Sequence, residues 1–367
     1  MMRMRVKLED VCVKGSSNLK QSDVAGQTGE YPIYGASGYI CNANFYHQEK
    51  PYVAIVKDGA GIGRTTLYPA KSSVIGTMQY LLPKESVLPE YLCYVVRYMH
   101  LEKYFTGATI PHIYYKDYKN EEFNLDKIEK QKEIVEVLGK LENIIKKRRK
   151  ELIQLENLIK SRCVEMFGDP EINPMGWEQV ILSDVCSSIV RGPFGSALKK
   201  EFFVGPDVDT YKVYEQKHAI QKSATIGNYY VNKEKYEELR RFECVPGDIL
   251  MSCSGTMGEM YQLPEGCEKG IINQALCKFT LNDRILPICF LVYMEQTIGN
   301  LETKGSGIKN IAAVSYVKQM PINLPPMEVQ IEFADFVHQV TKLKFEVQKS
   351  LDETQILMDS LMQEYFG

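Results

Sequence analysis

The sequence predicts an α+β protein with two repeated mixed α/β domains, each followed by a long helix, and with the two helices forming an antiparallel coiled coil. Three observations predict this fold class. The chain has 367 residues, more than one hydrophobic core usually spans. Its first half recurs in its second half, and each half ends in a segment with heptad periodicity. The predicted domains are residues 1–122 (the first head) and 169–322 (the second head), and the predicted helices are residues 123–168 and 323–367.

The internal repeat runs through most of the chain. Val6-Lys-Leu-Glu-Asp-Val-Cys12 returns as Val180-Ile-Leu-Ser-Asp-Val-Cys186, at an offset of 174 residues. From Phe123 to Gly168 the offset is 199 without a gap, and the pair Phe167-Gly168 recurs as Phe366-Gly367. The offset grows by 25 residues between these segments. Nearly all of this growth lies in the front part of the second copy, where we expect loops and edge structure.

Heptad periodicity in the two predicted helices indicates that they pack on each other. In each copy seven of nine seam positions are apolar. A helix of ~33 residues is about 50 Å long. Because the first helix leads into the second head, the second helix can lie back along it only in the antiparallel direction, with the heads at opposite ends. The predicted seam residues are Ile134, Leu138, Leu141, Ile145, Leu152, Leu155, Phe333, Val337, Val340, Val347, Leu351 and Met358.

Short apolar runs between turns predict strands in both heads, among them Tyr52–Val56 and Leu276–Leu281. A glycine turn, Asp58-Gly-Ala-Gly-Ile-Gly63, follows the first of these runs. Its glycines do not have the G-x-G-x-x-G spacing and no G-K-[ST] follows, so a cofactor loop is disfavoured.

Composition and charge exclude several classes of protein. A hydrophobic fraction of 44% and a charged fraction of 25% are typical of a globular domain. The charged N-terminal residues do not resemble a signal peptide, and the longest apolar stretch is far shorter than the roughly 20 residues of a membrane span. We therefore expect a cytoplasmic protein without membrane contact. The ten cysteines form no C-x-x-C pair, so we expect reduced, mostly buried thiols and no metal site. The net charge of −3 does not predict nucleic-acid binding, so any basic surface must be local.

Two similar heads on one rod suit a two-part site on DNA, although geometry alone does not choose DNA over another extended partner. Four segments carry a family resemblance: Gly29-Glu-Tyr-Pro-Ile-Tyr-Gly-Ala-Ser-Gly38, Gly176-Trp-Glu-Gln-Val-Ile-Leu-Ser-Asp-Val185, Arg191-Gly-Pro-Phe-Gly-Ser196 and Leu324-Pro-Pro-Met-Glu-Val-Gln330. With these segments the chain resembles the specificity subunits of type I restriction-modification systems along almost its whole length. The first copy, Leu125-Asp-Lys-Ile-Glu-Lys-Gln131, keeps the Glu and Gln of the fourth segment but lacks its prolines.

The resemblance implies a non-catalytic protein. Its two target-recognition domains would each read one half of a bipartite site in double-stranded DNA, and its helices would dock two modification subunits. Those subunits would carry the adenine methyltransferase activity and S-adenosylmethionine, and restriction subunits would add ATP and Mg²⁺. No cofactor, metal or catalytic residue is expected in this chain.

Candidate DNA contacts in the first head come from two segments. The glycine turn would bring Lys57 and Arg64 near a phosphate, and a purely structural turn is the competing interpretation. Tyr114, Tyr115 and Lys116 interleave aromatic and basic groups just before the first helix. They are candidates for groove or phosphate contact, although tyrosine-rich segments more often belong to a core.

Candidate contacts in the second head also come from two segments. Arg191 and Ser196, followed by Lys199 and Lys200, combine glycines for close backbone approach with basic groups for phosphate; a hairpin with solvated lysines is the alternative. Lys309 and Asn310 occupy the neighbourhood equivalent to the tyrosine-rich segment. Asn pairs bidentately with adenine and Lys reaches guanine, so both are candidates for base contact.

Two other functional classes stay open. A DNA methyltransferase with its own recognition domains would need an Asn/Asp-Pro-Pro-aromatic loop for the flipped base. The nearest match, Asn323-Leu-Pro-Pro326, lacks the aromatic residue and lies at a helix entry. A coiled-coil interaction scaffold whose heads bind protein or sugar is the second alternative, and salt-sensitive DNA binding would discriminate against it.

Overall fold

The computed structural model describes residues 4–107, 111–169, 172–194, 196–303 and 314–367, with residues 299–303 described by their backbone alone. Two compact units divide the chain. The first comprises Met1–Lys150 with Val347–Gly367, and the second comprises Glu151–Glu346. Each unit therefore contains one head and a part of each long helix.

The described residues of the first head form nine strands in three sheets. A four-stranded antiparallel sheet has the order β2-β8-β5-β6, a three-stranded mixed sheet has the order β4-β3-β7, and β1 pairs with β9. The strands are β1 Met4–Lys7, β2 Cys12–Ser16, β3 Tyr31–Gly35, β4 Gly38–Ala43, β5 Tyr52–Val56, β6 Thr65–Tyr68, β7 Ser73–Val74, β8 Met78–Pro83 and β9 Glu122–Leu125. The helices are α1 Leu8–Val11, α2 Gln21–Val24, α3 Pro89–Tyr98 and α4 Tyr115–Tyr118, and the long helix is α5 Ile128–Phe167.

The second head has ten strands in its described part. One four-stranded sheet has the order β11-β18-β15-β16, another has the order β13-β12-β17-β14, and β10 pairs with β19. The strands are β10 Glu178–Ile181, β11 Cys186–Arg191, β12 Thr210–Tyr214, β13 Tyr230–Asn232, β14 Glu243–Cys244, β15 Ile249–Ser252, β16 Met260–Gln262, β17 Gly270–Ile272, β18 Leu276–Leu281 and β19 Pro321–Leu324. The helices are α6 Gln216–Ile220, α7 Lys233–Glu238, α8 Pro287–Thr303 and α9 Val314–Lys318, and the long helix is α10 Met327–Phe366.

The two heads have the same strand topology, which confirms the predicted duplication. The sheet β2-β8-β5-β6 corresponds strand by strand to β11-β18-β15-β16. In the smaller sheet, β3 pairs antiparallel with β4 and parallel with β7, just as β12 pairs with β13 and β17. The second head adds β14 to this sheet and also has the helices α6 and α7. These additions lie in the front part, where the sequence predicted the growth. Both predicted strands, β5 and β18, have the predicted bounds.

Two buried glutamines attach the long helices to the heads in the same way. The side chains of Gln131 and Gln330 are 0% and 1% exposed and lie one turn inside α5 and α10. Their Oε1 atoms accept from the backbone N–H of Leu88 at 2.9 Å and of Leu286 at 2.8 Å, the residues just before α3 and α8. Each amide also donates to two carbonyls: Ser86 and Asp126 in the first head, and Arg284 and Pro325 in the second. These bonds satisfy loop groups that would otherwise be buried without partners, which gives the repeated Glu-x-Gln segment a physical reason.

The long helices are antiparallel within each compact unit. In the first unit the end of α10 packs beside the head and the start of α5, with the Phe366 and Tyr91 rings 5.3 Å apart. In the second unit the end of α5 meets the start of α10, with the Phe167 and Phe333 rings 4.8 Å apart. The repeated Phe-Gly segment thus fills equivalent core positions in the two units. Each helix has 40 residues. The predicted ranges 123–168 and 323–367 begin a few residues too early, because the ends of β9 and β19 occupy their first positions.

All ten cysteines are free thiols, and eight of them are buried, as the sequence predicted. Burial is the largest cause of the raised pKa of the Cys93 thiol, about 11, and of those of Cys12, Cys163 and Cys277, about 12 each. Nucleophilic thiolate is therefore disfavoured at these positions. Within the described ranges, no helix is both long and apolar enough to span a membrane.

Candidate nucleic-acid interface

Lys57 and Arg64 lie on either side of the glycine turn between β5 and β6, and both side chains have partners inside the first head. Lys57 Nζ forms an ion pair with Asp58, whose carboxylate also lies 2.8 Å from His112 Nδ1. Burial raises the pKa of Asp58, but the hydrogen bonds from Lys57 and His112 outweigh it and lower the pKa overall. Arg64 Nη1 donates to the Ala36 carbonyl at 3.0 Å. The positive charge of this turn is therefore partly neutralised.

The tyrosine-rich segment divides into an exposed and a packed part. Tyr114 is 50% exposed, its ring stacks on His112, and Lys116 Nζ lies 5.5 Å from the ring centroid. Tyr115 instead packs against the hydrophobic core near Cys12, and burial is the largest cause of its raised pKa. Tyr114 and Lys116 are accessible to a ligand, whereas Tyr115 is partly buried against the core of the first head.

The second-head segment after β11 presents its basic groups at the surface. Ser196, Lys199 and Lys200 are exposed. Lys199 Nζ lies 3.6 Å from Glu201, a long contact between two exposed groups that contributes little. Arg191, at the end of β11, is half-buried, and its Nη2 lies 3.5 Å from the Cys253 carbonyl. Of the four, Arg191 is the side chain that the fold holds most firmly.

A cavity of about 600 Å³ opens beside Arg191 in the second head. Arg241, from the 3-10 turn Arg240–Phe242, and Lys318, at the end of α9, also line it, and so do the rings of Phe194 and Phe242. Sequence reasoning missed Arg241 and Lys318. A comparison of the two copies would have pointed to Lys318, whereas Arg241 lies in the inserted part and has no counterpart.

Two predicted residues, Lys309 and Asn310, lie outside the residues that the structure describes. The predicted contacts in both heads stay predictions, because no bound nucleic acid tests them. In the described part of the chain, no three His, Cys, Asp or Glu side chains are grouped so that they could hold a metal ion.

The predicted helix seam divides between the two compact units. In the first unit Ile134, Leu138, Ile145, Val347 and Met358 are buried, and Leu141 and Leu351 are half-buried. In the second unit Phe333, Val337 and Val340 are buried, and Leu152 and Leu155 are half-buried. The buried residues at the start of each helix belong to the core of a head as well as to the helix seam.

Comparison with protein families decides the membership of this chain. The model of the type I restriction modification DNA specificity domain matches residues 4–157 and again residues 174–354. The chain belongs to this family. The two matches cover the two heads and continue into both long helices, in agreement with the duplicated topology.

Solved structures of low sequence identity share the fold over nearly the full length. A type I restriction-modification system S subunit from M. genitalium is 12% identical, with a TM-score of 0.58, and the match covers 99% of this chain and 96% of that one. A chain from a structural study of complex assembly and conformational transition of the type I R-M system is 16% identical, with a TM-score of 0.59, and 99% and 97% are covered. No curated protein sequence matches the chain significantly.

Proposed function

We propose that this chain is the DNA sequence-recognition subunit of a type I restriction-modification complex, without catalytic activity of its own. Each head would read one half of a bipartite site in double-stranded DNA. The observation that carries the proposal is that one strand topology occurs twice in a chain of the DNA specificity family. Two readers in a fixed order on one polypeptide suit a site with two parts in a fixed order. Because the second head has extra elements, we expect the two half-sites to differ in sequence.

Exposed apolar residues on the long helices support the docking of two modification subunits. Ile144 and Leu343 are 41% and 55% exposed and are equivalent in the repeat, and so are Leu158 and Leu357, at 46% and 49%. Ile144 and Leu357 belong to the first compact unit, and Leu158 and Leu343 to the second. Exposed apolar side chains on a helix favour burial against a partner. The repeat therefore offers two equivalent docking surfaces, one for each copy of the partner.

Cofactors are assigned to the partner subunits: S-adenosylmethionine to the modification subunits, and ATP with Mg²⁺ to the restriction subunits. The glycines of the turn in the first head are needed for its own close packing. A Cβ atom at Gly61 would lie 2.3 Å from Arg64 Nη2, and one at Gly63 would lie 2.7 Å from the Glu102 backbone nitrogen. This turn is a compact connection between two strands, which supports a structural role.

Methylome sequencing of cells that express the chain with its modification subunit tests the recognition proposal. We expect adenine methylation at a split, asymmetric motif, and none when either protein is absent. Replacing residues 1–122 by the corresponding head of another family member should change one half of the motif only. A change in both halves would refute the assignment of one half to each head. Methyl transfer by the chain alone would refute its non-catalytic role.

Light scattering of the assembled complex tests the docking surfaces. The double variant Ile144→Lys/Leu357→Lys should lose one of two modification subunits, Leu158→Lys/Leu343→Lys should lose the other, and the fourfold variant should lose both. Lys140→Gln, an exposed change on the same helix, is the matched control and should keep both subunits. If the fourfold variant folds and still binds two subunits, the helices do not dock them through these residues.

A further inference from the structure

The cavity in the second head is lined by cations without anionic partners. Arg191, Arg241 and Lys318 come from three separate elements: β11, the turn Arg240–Phe242 and α9. Among the residues that the structure describes, no carboxylate lies within ion-pair distance of any of the three. Three like charges around one space repel each other unless an anion lies between them. The arrangement therefore indicates an anionic ligand.

Arg191 supplies an independent sign of a missing partner. Its Nη1 atom is buried and, within the described part of the chain, has no hydrogen-bond acceptor. Burial lowers the pKa of the Arg191 guanidinium, the effect expected of a cation held away from water. A buried donor without an acceptor is costly, so such groups in native proteins usually have a protein, water or ligand partner.

The first head lacks this arrangement at equivalent positions. Leu8 N–H donates to the Glu121 carbonyl as Leu182 N–H donates to the Met320 carbonyl, so Glu9 corresponds to Ser183 and Lys119 to Lys318. Lys119 Nζ forms an ion pair with Glu9 at 2.8 Å. Lys318 has lost this partner, because serine stands where the glutamate would be.

Strand register gives the counterpart of Arg191. Ser16 pairs with Gln79 in β2 and β8 as Arg191 pairs with Cys277 in β11 and β18. The first head thus has a short neutral side chain where the second has a guanidinium. Arg191 and Arg241 therefore have no basic counterpart in the first head, and the counterpart of Lys318 is already paired with Glu9.

We propose that this cavity binds a phosphate group of a nucleotide, with Arg191, Arg241 and Lys318 around the phosphate. Arginine presents a fork of N–H donors that matches phosphate oxygens. The ring of Phe194, 89% exposed at the cavity, provides a face on which a base could stack. The volume of about 600 Å³ lies in the range of pockets that hold organic ligands. A strand of DNA and a free nucleotide both carry such a phosphate group. The choice of DNA as the ligand rests on the proposed function.

Salt-dependent binding of labelled duplex DNA to the full-length chain tests the DNA source. Arg241→Gln and Lys318→Gln should each weaken binding and lower the slope of log K against log salt by about one. Both residues are exposed, so these variants should fold, and their melting temperatures check this. The matched control is Arg240→Gln, which removes the neighbouring arginine that pairs with Glu237 at 3.2 Å and should leave the slope unchanged.

Titration of the same proteins with deoxyadenosine monophosphate tests the free nucleotide. One outcome would support a free nucleotide as the ligand of the cavity. The wild type and Arg240→Gln would bind the nucleotide, the other two variants would not, and all four proteins would have the same salt slope for DNA binding. If the cavity variants and the control variant have the same salt slope for DNA binding, and all of them bind the nucleotide as the wild type does, the inference is wrong while the proposed function stands. A wild type that binds neither DNA nor nucleotide would overturn both.

Discussion

The two heads use one backbone framework but fill equivalent interior positions with different chemistry. The pair Val53–Leu81 in β5 and β8 corresponds to Ile249–Phe279 in β15 and β18, so Tyr52 and Tyr80 correspond to Asp248 and Lys278. In the first head the two tyrosine rings meet edge to face, with centroids 5.0 Å apart. In the second head the two side chains form a buried ion pair at 3.0 Å. The backbone hydrogen bonds set the strand pairing, and either pair of side chains is compatible with it.

The largest loss of stability should come from breaking the buried ion pair between Asp248 and Lys278. Lys278→Met leaves the carboxylate of Asp248, 0% exposed at its side chain, without its cation. We expect the second head to lose about 3–5 kcal/mol of stability, the usual result when one partner of a buried pair is removed. Hydrogen exchange of the β15 amides measures this loss directly.

Two further variants sharpen the comparison of this ion pair with the tyrosine pair. The double variant Asp248→Asn/Lys278→Met removes both charges and should recover more than half of the loss. Tyr52→Phe in the first head removes only a hydrogen bond to Ser72 and should cost about 1 kcal/mol. Equal losses of stability in Lys278→Met and Tyr52→Phe would show that the buried ion pair is no more sensitive to substitution than the tyrosine pair.

The buried glutamines should behave alike, because their hydrogen bonds are the same in both heads. Gln131→Leu and Gln330→Leu each leave one N–H group and two carbonyls without their partner, so each should cost about 1–3 kcal/mol. The control is Gln348→Leu, an exposed change on α10, which should alter stability by less than about 0.5 kcal/mol. Urea unfolding of the full chain measures all three. Clearly unequal losses would contradict a shared role in attaching helix to head.

Much of the fold was predictable because it rests on backbone periodicity and duplication. The apolar runs of β5 and β18, the heptads of α5 and α10, and the repeated Phe-Gly segment are local patterns, and local patterns determine these elements. The antiparallel packing followed from connectivity alone. The starts of the helices were less predictable. Residues 122–125 and 321–324 form β9 and β19 instead of helix, because they pair with the distant strands β1 and β10.

The candidate site was less predictable, because the role of a basic residue depends on its neighbours in space. Lys57 is neutralised by Asp58, and Tyr115 turns into the core, although both belong to segments typical of DNA contact. Lys318 has the opposite character: it looks ordinary in sequence, and only the register of the two heads shows that its acidic partner is missing. Arg241 comes from an insertion without a counterpart, so no comparison within the chain could find it.

Mild acid should lower the stability of the second head more than that of the first, by less than the substitutions above. All five histidines lie in the described ranges, and only His218 in the second head is buried. Its Nδ1 accepts from the Glu215 N–H at 2.9 Å and its Nε2 lies 2.8 Å from the Ile226 carbonyl, which fits a neutral ring. Burial, only partly offset by these backbone groups, lowers the pKa of His218.

Proton binding by the folded and unfolded states determines whether acid raises or lowers the stability of the second head. Because the folded pKa is below the unfolded value of about 6.5, the unfolded state binds more protons as the pH falls through that value. The second head should therefore lose stability, by at most about 1.4 kcal/mol per pH unit for one proton, while His218→Gln should remove this part of the loss. Hydrogen exchange of β12 across the pH range, corrected for intrinsic rates, measures it, with β5 in the first head as the internal reference. An unchanged pH profile in His218→Gln would assign the effect to another group.

The smallest effect should come from exchanging the acidic partner of the equivalent lysines. Ser183→Glu gives Lys318 the carboxylate that Glu9 gives Lys119, and Glu9→Gln removes it in the first head. The Glu9–Lys119 ion pair is half-buried at the surface, and such ion pairs contribute little, so each change should alter stability by less than about 1 kcal/mol. Their effects on DNA binding should differ. Ser183→Glu neutralises Lys318 at the cavity and should lower the salt slope by about one. Glu9→Gln removes the partner of Lys119, but the first head has Ser16 where the second has Arg191, so this change should leave the slope unchanged. Equal slopes in the two variants would mean that the two lysines, and so the two heads at this position, do not differ in their contact with the ligand.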